Sequence, residues 1–242
     1  MDIVLIGGTI ESLLAANHYC KDHDVSIIEQ EAELGLPSVH PGRILNIDLF
    51  KSYFSEDQLN FLALHANDDG WGCRWEWVLK HLAANVARQG VQFLTRTRVL
   101  SSNQQNGKIL LELNSSERAT PMELLADRVV LFSDPLTGGP GGRTHHFHPF
   151  QPEKFHPLPT ITWFGGTVLS SDVDASTSAE LVIKRADGMT ELWWKNSPSW
   201  KPSRGFIEQC TSLLPEDLLH LSFDSVVSRV RDFLDEPIKV AN

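Results

Sequence analysis

The chain has 242 residues, 41% apolar and 21% charged, with a formal charge of −10 at pH 7. That length suffices for one large domain or two modest ones with a sizeable core, in the composition range of ordinary soluble globular proteins. An acidic chain without a lysine or arginine run is a poor match for a phosphate backbone, so nucleic acid is not an expected partner.

The first apolar run, Ile3-Val4-Leu5-Ile6, stops at Gly7-Gly8, too early for a signal-peptide core. No later stretch approaches the roughly 20 apolar residues that cross a bilayer, so no membrane partner is expected. Cys20, Cys73 and Cys210 are odd in number, far apart and without CxxC spacing, which suits a reducing compartment. The expected localisation is cytoplasmic.

In chain order, Ile3 to Ile6 reads as a strand covered on both faces, followed by the glycine pair and a helix from Ile10 to Tyr19. Val25-Ser26-Ile27-Ile28 is a second strand, ending in Glu29. Together these make a βαβ unit. From about Gly35 to Asp69 no clear periodicity runs throughout; the segment holds the loop "GLPSVHPGRI" and a helix near Glu56 to His65. "CRWEWVLKHLAANVARQG" predicts a helix, with Trp75, Val78, Leu79, Leu82, Ala83 and Val86 at core spacing and Gly90 as its stop. Short strands follow, with Asn106-Gly107 a hairpin signal, and "ADRVVLFSDP" adds an apolar strand that closes a first domain, 1–135. Residues 136–160 are rich in Gly, Pro and His and read as a connection. In the second region, 136–242, "TITWFGGTVLSS", "SAELVIKR" and "TELWWKN" alternate as strands, the last two joined through Ala186-Asp187-Gly188. Two helices are expected to finish the chain, around Arg204 to Leu213 and Phe223 to Leu234.

A βα turn that binds pyrophosphate needs a tight bend, close backbone approach and free amides at a helix N-terminus. Gly7 can make the bend and Gly8 keeps the turn free of bulk. Thr9 and Ser12 stand where the motif usually has its second and third glycines; Thr9 offers a hydroxyl, and Ser12 is small enough for helix and strand to pack. Glu29, at the tip of the second strand, is placed to accept both hydroxyls of an adenosine ribose and disfavours a 2′-phosphate. The plainer alternative is a βαβ unit with a solvated acid. In "THHFHPF", His146 and His148 could share a strand face as metal ligands, but no third ligand is assignable, so incidental loop histidines and no metal site are expected. Trp163, Trp193, Trp194 and Trp200 suit sheet core more often than a pocket. Ser170, Ser171 and the cysteines lack a nucleophile-elbow motif.

The ordered set of βαβ unit, "EQEAELGLPSVHPGRI", the helix after Arg74, "GVQFLTRTRV", the hairpin and "ADRVVLFSDP" resembles the FAD-binding domain of the glutathione-reductase-like flavoproteins, in particular the flavin-dependent aromatic hydroxylases. The resemblance covers residues 1 to about 135, and more loosely the strands from Thr160 to Asn196. It implies an α/β fold: a Rossmann-like FAD/NAD(P)-binding domain with a smaller β-sheet substrate-type domain. It further implies non-covalent FAD, with Gly7, Gly8 and Thr9 against the pyrophosphate and Glu29 on the adenosine ribose. Arg43, in "HPGRI", would reach phosphate or ribitol, and Arg74 would contact the cofactor. The backbone amide and carbonyl of Val99 would meet the adenine edge. The sheet from Trp163 to Trp194 would face a small organic substrate.

Two departures stand against this pattern. The family's second Gly-Asp signature is missing after the substrate sheet, and Ser133-Asp134-Pro135 stands where an acid-glycine pair is expected. The chain is also shorter than that family's, so the resemblance implies either a protein that holds only the adenine half of the cofactor or one completed by another chain or a second copy of itself. The sequence therefore supports an FAD-dependent oxidoreductase or monooxygenase-like protein, or a non-catalytic nucleotide-binding or interaction protein that retains the scaffold. An NAD enzyme using the same βαβ unit is a third option. No catalytic acid or base is singled out.

Overall fold

The structure is a computed structural model that describes residues 1–34, 40–132, 144–155, 158–174 and 176–235. Part of the "GLPSVHPGRI" loop, Ser133-Asp134-Pro135 and much of the 136–160 connection lie outside the described residues.

Strand β1 (Asp2–Ile6), helix α1 (Ile10–Tyr19) and strand β2 (Asp24–Ile28) form the expected βαβ unit. Then come β3 (Arg43–Ile44), the short helices α2 (Ile47–Lys51) and α3 (Glu56–Leu62), β4 (His65–Asn67) and β5 (Gly70–Gly72). Helix α4 (Trp75–Arg88) ends at Gly90, which adopts a φ of +97° that favours glycine. Strands β6 (Gln92–Leu94), β7 (Thr97–Gln105), β8 (Lys108–Ser115), β9 (Glu123–Ala126), β10 (Arg128–Leu131) and β11 (Glu153–Lys154) follow. The turn between β7 and β8 is Asn106-Gly107, with φ of +53° and +78°, the two left-handed positions that the Asn-Gly pair predicts. The remainder is β12 (Thr160–Leu169), β13 (Leu181–Lys184), β14 (Met189–Trp194), β15 (Glu208–Pro215) and α5 (Phe223–Asp235).

Contacts group the chain into two compact units built from interleaved segments: Met1–Leu34, Leu82–His156 and Val230–Asn242 in the first, Gly35–His81 and Pro157–Arg229 in the second. The first unit holds a parallel five-stranded sheet ordered β11-β10-β1-β2-β6 and a three-stranded antiparallel sheet ordered β7-β8-β9. The parallel order grows from β1 outward in both directions, so the topological switch lies between β1 and β10, the place where doubly wound sheets bind ligands. Ile3, Val4, Leu5 and Ile6 are each at most 2% exposed, as a run buried on both faces requires. One cluster joins Val4, Ile6, Ile28 and Leu94 to Val99, Ile109, Leu111 and Leu113, so the two sheets of this unit share a core.

The second unit holds a four-stranded antiparallel sheet ordered β13-β14-β12-β15 and a small sheet ordered β3-β5-β4. Trp163, Leu181, Ile183, Trp193 and Leu214 pack one face of the larger sheet; Val168, Leu192 and Trp194 pack the other. The expected helix around Arg204 to Leu213 is instead strand β15, antiparallel to β12 from Glu208 to Pro215. Phe206, Cys210, Leu213 and Leu214 fit a helical spacing on paper. The free edge of β12 selects the other reading, in which Cys210, Ser212 and Leu214 turn inward and Gln209, Thr211 and Leu213 face solvent.

Candidate functional site

The glycine turn is held shut by the acid at the end of β2. Gly7 sits at φ +103°, open only to glycine without strain, and its N–H donates to the Ile28 carbonyl at 2.8 Å. The Gly8 N–H donates to Glu29 Oε2 at 2.5 Å, and the Glu31 N–H donates to Glu29 Oε1 at 2.9 Å. Both carboxylate oxygens are thus engaged by the chain itself. Leu34 lies directly on the turn: a Cβ built on Gly8 would overlap its methyl group and sit 2.7 Å from Glu29 Oε2. Gly8 does keep the turn free of bulk, but the space it leaves is taken by Leu34 and Glu29.

Thr9 is the N-cap of α1, its Oγ1 accepting the Ser12 N–H at 3.3 Å. Ser12 is fully buried and its hydroxyl donates to the Thr9 carbonyl at 2.8 Å. The two residues in the places of glycines therefore cap and pack the helix. An anion at this N-terminus would use the amides that point out of the first turn. Of these, Ser12 already has an oxygen partner, as does the Gly8 amide that precedes the cap.

Val99 shows the same pattern. It is fully buried on β7, and its N–H donates to His145 Nδ1 at 3.1 Å while its carbonyl accepts the His146 N–H at 3.0 Å. Burial pushes the His145 imidazole down to about 4, helped by His146 and Arg98, so the ring is neutral near pH 7 and Nδ1 accepts. Further along β7, Ser102 donates its N–H to the His148 carbonyl at 3.3 Å and its hydroxyl to the Phe150 carbonyl at 2.6 Å; the Phe150 N–H donates back to the Ser102 carbonyl at 3.2 Å. The "HHFHPF" segment is therefore laced along the strand, with Phe147 and Phe150 packed on the core of this unit. Val99 is tied to the Glu29 region by the start of β7 and the residue before it: the Thr97 N–H donates to the Glu29 carbonyl at 2.9 Å and the Arg96 N–H to the Glu31 carbonyl at 3.1 Å.

The two predicted arginines belong to the second unit. Arg43, on β3, is 7% exposed; it pairs with Asp69 at 2.5 Å and donates to the Leu218 carbonyl at 2.8 Å. Arg74, just before α4, is ion-paired with Glu76 and with Glu208, the latter at 3.2 Å. Gly7, Gly8, Thr9, Glu29 and Val99 are thus gathered in the first unit, and Arg43 and Arg74 each hold carboxylates within the second.

Arg74 also lines a cavity of about 280 Å³ on one face of the four-stranded sheet. Two rows of that face build its floor: Trp193, Gly165 and Cys210, then Glu191, Thr167 and Glu208. Gly165 matters here, because a Cβ would lie 2.7 Å from Cys210 Sγ and 2.8 Å from the Trp193 ring. Glu191 is 5% exposed, accepts the Gly42 N–H at 3.0 Å and pairs with Arg185 at 3.1 Å. Burial pushes its carboxyl up, against the pull of those two partners. Sequence reasoning singled out the tryptophans here but not Glu191 or Arg185; an acid in an otherwise apolar strand, "TELWWKN", was the available signal.

No family model matches this chain, and no curated protein matches it. Solved structures do share its fold. A geranylgeranyl bacteriochlorophyll reductase-like protein from Thermoplasma acidophilum superposes with a TM-score of 0.58 at 15% identity, covering 98% of this chain and 62% of its own. A protein described as a flavoprotein/dehydrogenase from Cytophaga hutchinsonii gives 0.57 at 12% identity, covering 99% of this chain and 80% of its own. CabE, an aromatic hydroxylase of angucycline biosynthesis, gives 0.53 at 12% identity, covering 88% and 52%. This chain therefore spans about three fifths of the first of these proteins and half of the last. The class is a mixed α/β fold shared with flavoproteins.

The sequence resemblance implies FAD, and in this arrangement the turn that would face its pyrophosphate is occupied by Leu34 and the Glu29 carboxylate. The Gly8 amide, both Glu29 oxygens, and the Val99 amide and carbonyl are all bonded within the chain. A pyrophosphate laid on the turn would have to displace Leu34 and the Glu29 bond to the Gly8 amide.

Proposed function

We propose that this chain is a non-catalytic binding protein built on a flavoprotein fold. Its dinucleotide position is closed by its own side chains, and its ligand, a small organic molecule, lies in the cavity over Gly165 and Trp193. The observation that carries this reading is the Glu29 carboxylate bonded to the Gly8 and Glu31 amides with Leu34 against the turn. Each carboxylate oxygen already spends one of its acceptor positions on a backbone donor, and the Leu34 methyl stands against Gly8 where a pyrophosphate would approach the turn.

A second reading is an FAD-dependent oxidoreductase in which these groups rearrange. The βαβ unit with Glu29 at its tip and the fold shared with a flavoprotein/dehydrogenase favour it. On that reading Gly7, Gly8, Thr9, Glu29, Arg43, Arg74 and Val99 anchor FAD. An absorption spectrum of the purified protein, taken after incubation with FAD and desalting, separates the two. Bound flavin in near-equimolar amount sinks the binding-protein reading; a colourless protein supports it.

A further inference from the structure

The cavity on the four-stranded sheet has a charge balance that discriminates between ligands. Three carboxylates line it, Glu76, Glu191 and Glu208, against two guanidinium groups, Arg74 and Arg185. Both arginines are already engaged: Arg74 pairs with Glu76 and Glu208, and Arg185 with Glu191 and Asp187. An incoming anion therefore meets a surplus of acid and would have to break an ion pair to gain a cation.

We propose that the ligand of this cavity is a small organic ammonium ion with an apolar body. Two groups are left to receive its charged end. Glu208 spends Oε1 on Arg74 at 3.2 Å, while its Oε2 has no partner among the described residues. Its side chain is half exposed, which puts this acceptor at the mouth of the cavity. Thr167 lies in register between Glu191 and Glu208 and is 8% exposed. It lines the same cavity, and its hydroxyl has no hydrogen-bond partner among the described residues. A buried hydroxyl is costly to leave unpaired, and an ammonium N–H is a donor it can accept. Trp193 supplies an aromatic wall for the apolar body. This inference rests on the reading above that a small organic molecule occupies the cavity, and it adds the charge of that molecule.

Isothermal titration calorimetry at pH 7 with phenethylamine and with phenylacetate, a similar body of opposite charge, tests it on the wild-type protein. Phenethylamine is expected to bind at least about tenfold more tightly. Glu208→Gln keeps the shape and removes the charge, so it should weaken phenethylamine by about tenfold and leave phenylacetate no weaker. Thr167→Val should cost about fivefold, the factor of one hydrogen bond. Cys210 lines the cavity and Cys20 lies in the other unit, so bound phenethylamine should slow alkylation of Cys210 by iodoacetamide and leave Cys20 unchanged. Equal or tighter binding of phenylacetate overturns the proposal. So does an unchanged amine affinity in Glu208→Gln, an unprotected Cys210, or failure of both probes to bind at millimolar concentration. The outcomes also separate from the parent reading. Flavin retained beside amine binding that protects Cys210 defeats only the non-catalytic reading, and a colourless protein that prefers phenylacetate defeats only the charge assignment.

Discussion

Replacing Glu29 by alanine distinguishes a clamp from a solvated acid. The substitution removes an acceptor at 2.5 Å from the part-buried Gly8 N–H and one at 2.9 Å from the exposed Glu31 N–H. Hydrogen bonds to charged groups contribute about 1.5–3 kcal/mol when shielded from water and less at the surface, so the loss should be about 2 kcal/mol, nearly all at Gly8. Equilibrium urea unfolding followed by far-ultraviolet circular dichroism reads this directly. With a typical denaturant slope of about 1–3 kcal/mol per molar, the midpoint should fall by about 1 M. Glu29→Gln keeps one carbonyl acceptor without the charge and should recover about half of the loss. A change within about 0.5 kcal/mol, the range of ordinary surface substitutions, would refute the clamp and restore Glu29 as an acid awaiting a ligand.

Other perturbations follow from the same bonds. Gly8→Ala drives a Cβ into Leu34 and Glu29 and should cost about 1–3 kcal/mol in the same unfolding experiment. Glu191→Ala strips the buried acceptor from the Gly42 N–H and one of two acid partners from Arg185, which keeps Asp187, so a loss of about 1–3 kcal/mol is expected; an unchanged midpoint would contradict the buried pairing. His145 titrates at about 4 in the folded chain against an ordinary 6.5, so the unfolded chain takes up the proton first. Its stabilising contribution is complete above pH 6.5 and is lost as pH falls towards 4, by at most about 3 kcal/mol, and His145→Gln should flatten that part of the stability–pH curve. Burial holds the Cys73 thiol far above its usual range, so in the native protein an aromatic disulfide reagent should modify Cys20 and Cys210 before Cys73, and all three on unfolding.

Much of the first unit and the helix α4 were legible because their signals are local. The all-apolar run Ile3 to Ile6 marks a strand buried on both faces, the Asn106-Gly107 pair a hairpin, and the spacing of Trp75, Val78, Leu79 and Leu82 a helix. The small sheet of β3, β4 and β5 was not, since strands of two or three residues are too short to show alternation. Strand β15 was misread because Phe206, Cys210 and Leu214 satisfy a helical spacing, and only the open edge of β12 decides between the periods.

At the site, the residue identities were readable and their partners were not. Glu29 reads the same in sequence whether its oxygens face a ribose or the Gly8 amide. Leu34 carries no motif, yet it covers the turn. The histidines of "HHFHPF" read in sequence as incidental loop residues; the His145 bond to β7 depends on a contact 46 residues away in the chain. Arg43 and Arg74 were placed by resemblance alone, and each is bound to acids that no spacing rule pairs with it.

The most direct test observes the two closed amides themselves. In ¹⁵N–¹H correlation spectra of the labelled protein, the Gly8 and Val99 resonances should keep their positions when FAD is added in large excess, because their N–H groups remain on Glu29 and His145. Saturable shifts of both resonances, with flavin bound at one equivalent, would show that the cofactor takes those donors and that the site is open.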